Sequence, residues 1–307
     1  MRNKIRVGLI VLAGIFGVSL TLWLVSQALG PIYFEYVSEI PMRMATETEI
    51  LNDQPADVDV FRFDYNPNIL VLTFATLQAQ GHMLNRVAGL VEKAGLPPDR
   101  VATNPELNAA IKAEGVTEDT FYYGHDYSIV DLVRFFALAS RDHVALTKEE
   151  EWLRALLRQV GWMQTSTLGA VISIPGPDAP TDVMMRAAIL RHELAHGEYF
   201  SNRQYAAFVS RFWMTALTEH ERSLFRAYLA AIGYRISNED LVINEMQAYL
   251  IYTPDSRLFT PGVLGLSEGR SVSLRTMFLN DMPHGWLLCL RPDAPAVECR
   301  FPLEVRP

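Results

Sequence analysis

The chain has 307 residues, of which half are hydrophobic and a fifth are charged, so it can bury a sizeable core without a disulfide framework. Its 27 basic and 35 acidic residues give a formal charge of −8. This balance argues against a nucleic-acid partner, because proteins of that class normally carry a basic face. At roughly 150 residues per domain, the length fits one large domain or two small ones.

Residues 1–30 predict a membrane anchor. An uncharged, mostly apolar run extends from Val7 to Val25, and a helix of that length nearly spans a hydrocarbon core of about 30 Å. Basic residues precede the run, so the positive-inside rule places the rest of the chain outside the cytoplasm, in the periplasm if the source is a Gram-negative bacterium. Two alternatives stay open: a signal peptide cleaved after Ser26-Gln27-Ala28, and a buried core helix.

The remaining chain predicts an α+β fold that is predominantly helical. Residues 31–66 are polar without a clear period and are interpreted as a linker, which leaves residues 67–307 as one catalytic domain. Apolar runs at residues 68–74 and 169–175 predict buried strands. Between residues 128 and 282, hydroxyl residues repeatedly stand three positions before a carboxylate, which is typical of helix starts.

The strongest motif is His192-Glu193-Leu194-Ala195-His196, in a helix predicted over residues 182–200. Positions i and i+4 share one face of a helix, so both imidazoles can bind one metal ion. Zinc suits this ligand set, and Glu193 stands where it can deprotonate water without ligating the metal. The alternative is an ordinary helix with two surface histidines.

A catalytic zinc site usually has three protein ligands, and Glu245 is the best candidate for the third. It lies in an otherwise apolar helix that we expect to open at Ser237 and to end before Pro254. A carboxylate is rarely buried without a partner, and a metal ion is one such partner. His220 is a weaker candidate ligand, and Glu245 could instead lie at the surface or accept a hydrogen bond from Arg or Tyr.

With these residues the sequence resembles the gluzincin group of zinc metallopeptidases, over roughly residues 165–255. The resemblance implies a zincin-like domain with an active-site helix beneath a small sheet, a glutamate as third ligand, and peptide hydrolysis. It also implies that the strand at 169–174 is the edge strand, which pairs with extended substrate. The chain departs from the group's pattern at Tyr249, where an acidic residue frequently stands four positions after the third ligand.

A tetrahedral intermediate needs a hydrogen-bond donor besides the metal, and Tyr249 is predicted to supply it as a catalytic residue. Tyr249 is one helical turn from Glu245, and Tyr199 and Tyr252 are alternatives. Zinc-bound histidines normally donate their second ring nitrogen to an acceptor. The candidate acceptors near the motif are Glu198, Asp240 and Asn244.

Two further features leave alternatives open. The segment 122–127 is either a loop with aromatic packing before a helix capped by Ser128, or a loop lining the cleft in which His125 contacts substrate. Cys289 and Cys299 flank a predicted turn, and they either form a disulfide across a hairpin or are unpaired thiols.

The sequence thus predicts a membrane-anchored, extracytoplasmic zinc metallopeptidase that acts on a protein or peptide substrate. Two other classes of function are compatible with the same motif. One is a zinc hydrolase that acts on a cell-wall or other non-protein amide. The other is an assembly protein whose metal site is structural.

Overall fold

The computed structural model describes residues 39–164, 166–177 and 181–290. The predicted anchor at residues 1–30 lies outside them, and among the described residues no helix is long and apolar enough to cross a membrane. The described residues combine helices with one five-stranded sheet, so the predicted α+β class is confirmed. Cys289 is disulfide-bonded, whereas its predicted partner Cys299 lies outside the described residues.

The strands are Arg43–Ala45 (β1), Val58–Phe63 (β2), Ile69–Phe74 (β3), His125–Ser128 (β4) and Ala170–Pro175 (β5). They form one sheet in the order β1-β2-β3-β5-β4. The pairs β1–β2 and β3–β5 are parallel, and the pairs β2–β3 and β5–β4 are antiparallel. Strand β4 therefore forms one edge of the sheet, and β5 lies inside it.

The helices before β5 are Glu47–Leu51 (α1), Leu77–Val91 (α2), Asn104–Ala113 (α3), Ile129–Arg141 (α4) and Lys148–Gln159 (α5). Those after β5 are Val183–Ser201 (α6), Arg203–Thr215 (α7), Glu219–Ala231 (α8), Glu239–Gln247 (α9) and Glu268–Asp281 (α10). A π-helix, Ala248–Tyr252, directly continues α9. Short 3-10 helices lie at Glu118–Thr120, Pro261–Leu264 and Trp286–Cys289.

The prediction of an irregular linker over residues 31–66 is wrong for its described part. The folded unit begins at Ile40, and residues 43–63 supply β1, α1 and β2. Phe61 and Phe63 are fully buried in the main core. The prediction failed for β2 because Asp59 and Arg62 interrupt its apolar residues. Such interruptions are compatible with a strand, since successive strand residues face opposite sides of a sheet.

The edge strand also differs from the prediction. Residues 169–174 were expected to form the edge, but β5 has β3 on one side and β4 on the other. Residues 170–173 of β5 pair with the four residues of β4. Every residue of β5 is buried, which is typical of an interior strand with both faces covered. The edge strand next to β5 is therefore β4, and β1 forms the other edge of the sheet.

The sheet separates two apolar cores. One core contains Val71 and Ile172 together with α6, and the other contains Leu70 and Val171 together with α2. Helix α6 begins with Asp182 as its N-cap, whose carboxylate accepts a 2.8 Å hydrogen bond from the Met185 amide. Successive residues of β3 and β5, such as Leu70 and Val71, thus face opposite cores, as the period of a strand requires.

Two local features place the metal-ligand candidates. A Cβ atom on Gly197 would lie 2.9 Å from Ile69 Cδ1, so this glycine lets α6 approach the sheet closely. Helix α9 begins at Glu239, and its N-cap is Asn238 rather than the predicted Ser237. The Asn238 side chain accepts a hydrogen bond from the amide of Leu241, which fixes the start of the helix one residue later.

Candidate metal centre

Helices α6 and α9 bring the three predicted metal ligands together. His192 and His196 lie one turn apart on α6, and their Nε2 atoms are 3.0 Å from each other. Glu245 Oε2, from α9, lies 3.8 Å from each of these two nitrogens. Two donors bound to a tetrahedral ion at the usual zinc distances lie roughly 3.3 Å apart. The three atoms therefore have the spacing and the chemistry to hold a metal ion.

The bonding of these groups supports the same interpretation. Glu245 is 1% exposed, and its Oε2 has no hydrogen-bond partner among the described residues. An unpaired buried carboxylate oxygen is costly, and a bound cation would remove that cost. Burial raises the pKa of Glu245 well above its usual range, although a hydrogen bond from Tyr234 opposes the shift.

Burial has the opposite effect on the two imidazoles. It lowers the pKa of His192 well below its usual value, with a further contribution from His196. Burial also lowers the pKa of His196 to about 4, against a hydrogen bond with Asn244. Both rings are therefore neutral at physiological pH, which is the state that binds metal.

The predicted acceptors for the histidines are only partly correct. Of the three candidates, Asn244 contacts His196, whereas Glu198 and Asp240 contact neither ring. Glu198 accepts hydrogen bonds from Asn66, Asn202 and Trp286. Asp240 accepts a 2.6 Å hydrogen bond from the Tyr199 hydroxyl. The Nδ1 atom of His192 instead lies 2.7 Å from the hydroxyl of Thr253, which sequence reasoning missed.

Glu193 lies beside the two histidines and is nearly fully buried. Its Oε2 has no hydrogen-bond partner among the described residues. Burial raises its pKa well above the usual range, with a further contribution from Glu245. A carboxylate with a raised pKa and no competing partner is suited to accept a proton and release it again.

The edge strand supplies an acidic residue that was not predicted. Asp126 is buried on β4, and its Oδ2 lies 3.6 Å from His196 Nδ1. Asp126, Glu193 and His196 form a second group whose ligand-type atoms lie within 4.8 Å of one another. Gly124, two residues earlier, faces the same side, because a Cβ atom there would lie 2.1 Å from Glu193 Oε1. The carboxylate of Glu193 therefore fits only beneath a glycine.

A cavity of about 350 Å³ opens next to these residues. His192, Glu193 and Asp126 line it together with aromatic side chains. The aromatic residues of the wall are Phe121, Tyr122, Tyr123, Tyr228, Tyr234 and Tyr249. The candidate centre is thus accessible from a cleft whose walls combine aromatic and charged side chains.

Tyr249 lies at this cleft, as predicted for an oxyanion donor. Its ring centroid is 4.8 Å from that of His192, and burial followed by the charge of Glu245 raises the pKa of its hydroxyl. The alternatives Tyr199 and Tyr252 do not line the cavity. Tyr234 lines it and donates to Glu245, which makes it a further candidate that the sequence did not indicate.

His125 does not contact the cleft, so the hypothesis that it contacts substrate is wrong. Its Nδ1 lies 3.2 Å from both Gln80 Nε2 and Ser173 Oγ, and its Nε2 lies 3.2 Å from Asn85 Oδ1. Gln80 and Asn85 belong to α2, on the side of the sheet opposite α6, and Ser173 belongs to β5. Ser128 caps α4 as predicted. His220, the weaker candidate ligand, is exposed near the start of α8 and joins neither group of ligand-type atoms.

Comparisons of the chain with protein-family models, curated proteins and solved structures find no match. The assignment of a function therefore depends on the geometry of the site itself.

Proposed function

We propose that this chain is a zinc-dependent peptidase with His192, His196 and Glu245 as the metal ligands. The observation that carries the proposal is the buried Glu245 Oε2, which faces the two Nε2 atoms and has no other partner among the described residues. Two neutral imidazoles and one carboxylate are a ligand set that catalytic zinc sites use. A bound zinc ion supplies a Lewis acid that polarises the substrate carbonyl and makes water more acidic.

The protein's own groups supply the proton transfers. Glu193 Oε2 takes a proton from the attacking water and delivers it to the leaving amine, because it is next to the ligands and has no competing hydrogen bond among the described residues. Tyr249 lines the same cleft, and we assign its hydroxyl as the donor to the oxygen that gains negative charge. Glu193 and Tyr249 are thus the proposed catalytic residues.

Two features favour an enzyme over an assembly protein with a structural metal. Structural zinc sites are closed by four protein ligands, whereas catalytic sites keep one position open. Here His192 of the three ligands lines a cavity of about 350 Å³, and the carboxylate of Glu193, outside the ligand set, lines it as well. The aromatic walls favour a substrate that places an apolar side chain next to the amide. Hydrolysis of a cell-wall or other non-protein amide remains the second candidate.

We further propose that residues 1–30 anchor the enzyme in a membrane, with the catalytic domain outside the cytoplasm. The support is the length of the apolar run from Val7 to Val25 and the basic residues before it. Fractionation of the full-length protein tests this proposal, because an anchored protein stays with membranes after a salt wash. A soluble product beginning at Leu29 would instead identify a cleaved signal peptide.

The decisive experiment on function measures zinc content and hydrolysis together in Glu193→Gln. This variant keeps the size of the side chain but removes the base, so we expect it to bind zinc like the parent and to cleave at least about a hundredfold more slowly. Glu198→Gln is the matched control, since it makes the same change on the same helix away from the cavity. His192→Ala and His196→Ala should lose zinc and activity together.

The substrates should include an unfolded protein, a set of short peptides and a cell-wall preparation, because these separate the two candidate activities. Parental activity of Glu193→Gln on any genuine substrate would exclude Glu193 as the base. Stoichiometric zinc in His192→Ala or His196→Ala would exclude the ligand assignment.

A further inference from the structure

Thr253 makes the closest polar contact of any described residue with the outer nitrogen of a ligand histidine. Its Oγ1 lies 2.7 Å from His192 Nδ1. The same hydroxyl donates a 2.9 Å hydrogen bond to the backbone carbonyl of Ala248. Thr253 is 2% exposed, so water does not compete with these two contacts.

The direction of both hydrogen bonds follows from the number of available protons. A threonine hydroxyl has one proton, and the Ala248 carbonyl can only accept. The hydroxyl therefore gives its proton to Ala248 and accepts one from His192 Nδ1. A neutral imidazole that carries its proton on Nδ1 has its lone pair on Nε2, and this atom faces His196 Nε2 and Glu245 Oε2.

The π-helix after α9 brings Thr253 to this position. Ala248–Tyr252 forms one wide turn, and the Thr253 hydroxyl binds the carbonyl five residues earlier. Single π-helical turns occur frequently at functional sites. The rings of Tyr249, in the same turn, and His192 pack in a T-shaped arrangement, whereas the Nδ1 of His192 faces Thr253. The ring of His192 is thus held by packing from Tyr249 and by a hydrogen bond from its own Nδ1 to Thr253.

We infer that Thr253 is a positioning residue that keeps His192 in the tautomer and orientation that bind the metal, with a hydroxyl doing what a carboxylate or carbonyl usually does. This inference rests on the proposed metal centre. It gives the segment from α9 to Thr253 a second contribution to the site, in addition to the ligand Glu245. Loss of such an outer partner typically lowers metal affinity or activity by about 10–100-fold.

The test compares zinc affinity, measured by competition with a chelator, in the full-length parent and three variants. Thr253→Val keeps the shape but removes the hydroxyl, and we expect it to bind zinc about 10–100-fold more weakly. Thr253→Ser keeps the hydroxyl and should restore the parental affinity. Thr73→Val is the matched control, because it removes another fully buried threonine hydroxyl. Thr73 lies on β3, and its hydroxyl donates to Asp53 rather than to a metal-ligand candidate.

A second measurement does not depend on metal. The nitrogen-15 chemical shifts of His192 in the metal-free protein report which ring nitrogen carries the proton. We expect the proton on Nδ1 in the parent and in Thr253→Ser, and a mixture of tautomers in Thr253→Val or, if that variant does not fold, in Thr253→Ala.

The inference is overturned if Thr253→Val binds zinc as tightly as the parent, or if the parent carries the His192 proton on Nε2. Failure of the proposed function looks different, because the parent itself would then bind no zinc through His192, His196 and Glu245.

Discussion

Two groups of buried ionisable side chains lie on opposite sides of the same sheet, and they differ in how their polar atoms are bonded. On the side of α2, Arg86 and Glu150 form a buried, bidentate ion pair. On the side of α6, next to His192 and His196, Glu193 Oε2 and Glu245 Oε2 have no hydrogen-bond partner among the described residues. We call the first the paired group and the second the open group.

Two successive residues of β4 illustrate the difference. His125 faces α2, and both of its ring nitrogens have polar partners. Asp126 faces α6, next to His196 but 3.6 Å away from its Nδ1. Buried groups that are bonded within the protein stabilise its fold, whereas buried groups left without partners need an external one. The contrast indicates that the side of the sheet facing α6 is the one suited to bind a ligand.

The largest expected difference between the paired group and the open group is in the free energy of unfolding. Glu150→Gln leaves the buried Arg86 without its counter-charge, so we expect the free energy of unfolding to fall by about 3–5 kcal/mol. Glu245→Gln removes a carboxylate that has no such partner in the metal-free protein, so metal-free stability should not fall below that of the parent. Denaturant unfolding with a chelator present measures both. A comparable loss in Glu245→Gln would show that the open group is bonded after all.

A smaller effect, on the rate of hydrolysis, is expected when Gly124 next to Glu193 is replaced. In Gly124→Ala the new methyl group must displace the Glu193 carboxylate, since its Cβ would lie 2.1 Å from Oε1. We expect hydrolysis to slow by about tenfold to a hundredfold, with zinc binding retained, because a shift of about 1 Å in a catalytic group has effects of this size. Gly95→Ala is the control, as a Cβ atom there would meet nothing within 4 Å. Parental rates in Gly124→Ala would contradict the proposed role of Glu193.

A third expected effect is a dependence of stability on pH that zinc should reverse. Burial raises the pKa values of Glu193, Glu245 and Asp126. The folded, metal-free protein therefore keeps protons that the unfolded chain releases near pH 4, and its stability falls as pH rises. His192 and His196 have lowered pKa values, so they oppose this trend only below about pH 6.5, where the unfolded imidazoles are protonated.

Above about pH 6.5 the imidazoles no longer contribute, and each carboxyl proton that the folded protein still holds contributes a slope of about 1.4 kcal/mol per pH unit. Zinc needs deprotonated ligands, so the zinc-loaded protein should instead gain stability over the same range. Unfolding at about pH 7 and about pH 8.5, with chelator and with zinc, measures both slopes. Parallel slopes in the two states would mean that the metal does not bind the open group.

The sequence predicted the parts of the site that lie within one helix or follow a strong local pattern. His192, Glu193 and His196 share a face of α6 because of helical periodicity alone. The apolar runs of β3 and β5 and the cap at Ser128 were equally visible. Glu245 required one further argument, namely that an acidic residue in an apolar helix needs a partner.

The residues that were missed depend on how distant segments meet. The short strand β4 reads His-Asp-Tyr-Ser, which has no apolar alternation, so nothing local indicated that Asp126 and Gly124 face Glu193. Thr253 reaches His192 only because a π-helical turn follows α9, and the sequence predicted an ordinary helical turn there. Tyr234 meets Glu245 across the space between the end of α8 and α9.

The order of strands in the sheet has a consequence for how the protein is made. Strand β5 lies between β3 and β4 but is the last of the three in the chain. Until residues 170–175 join the sheet, β3 and β4 each present an unpaired edge, which is a template for wrong pairing. Helix α6 is the next element after β5, so the pairing of β5 with β3 and β4 also brings His192 and His196 to the sheet. A fragment that ends at residue 165 should therefore aggregate more readily than the full-length protein, because it lacks the strand that covers both edges.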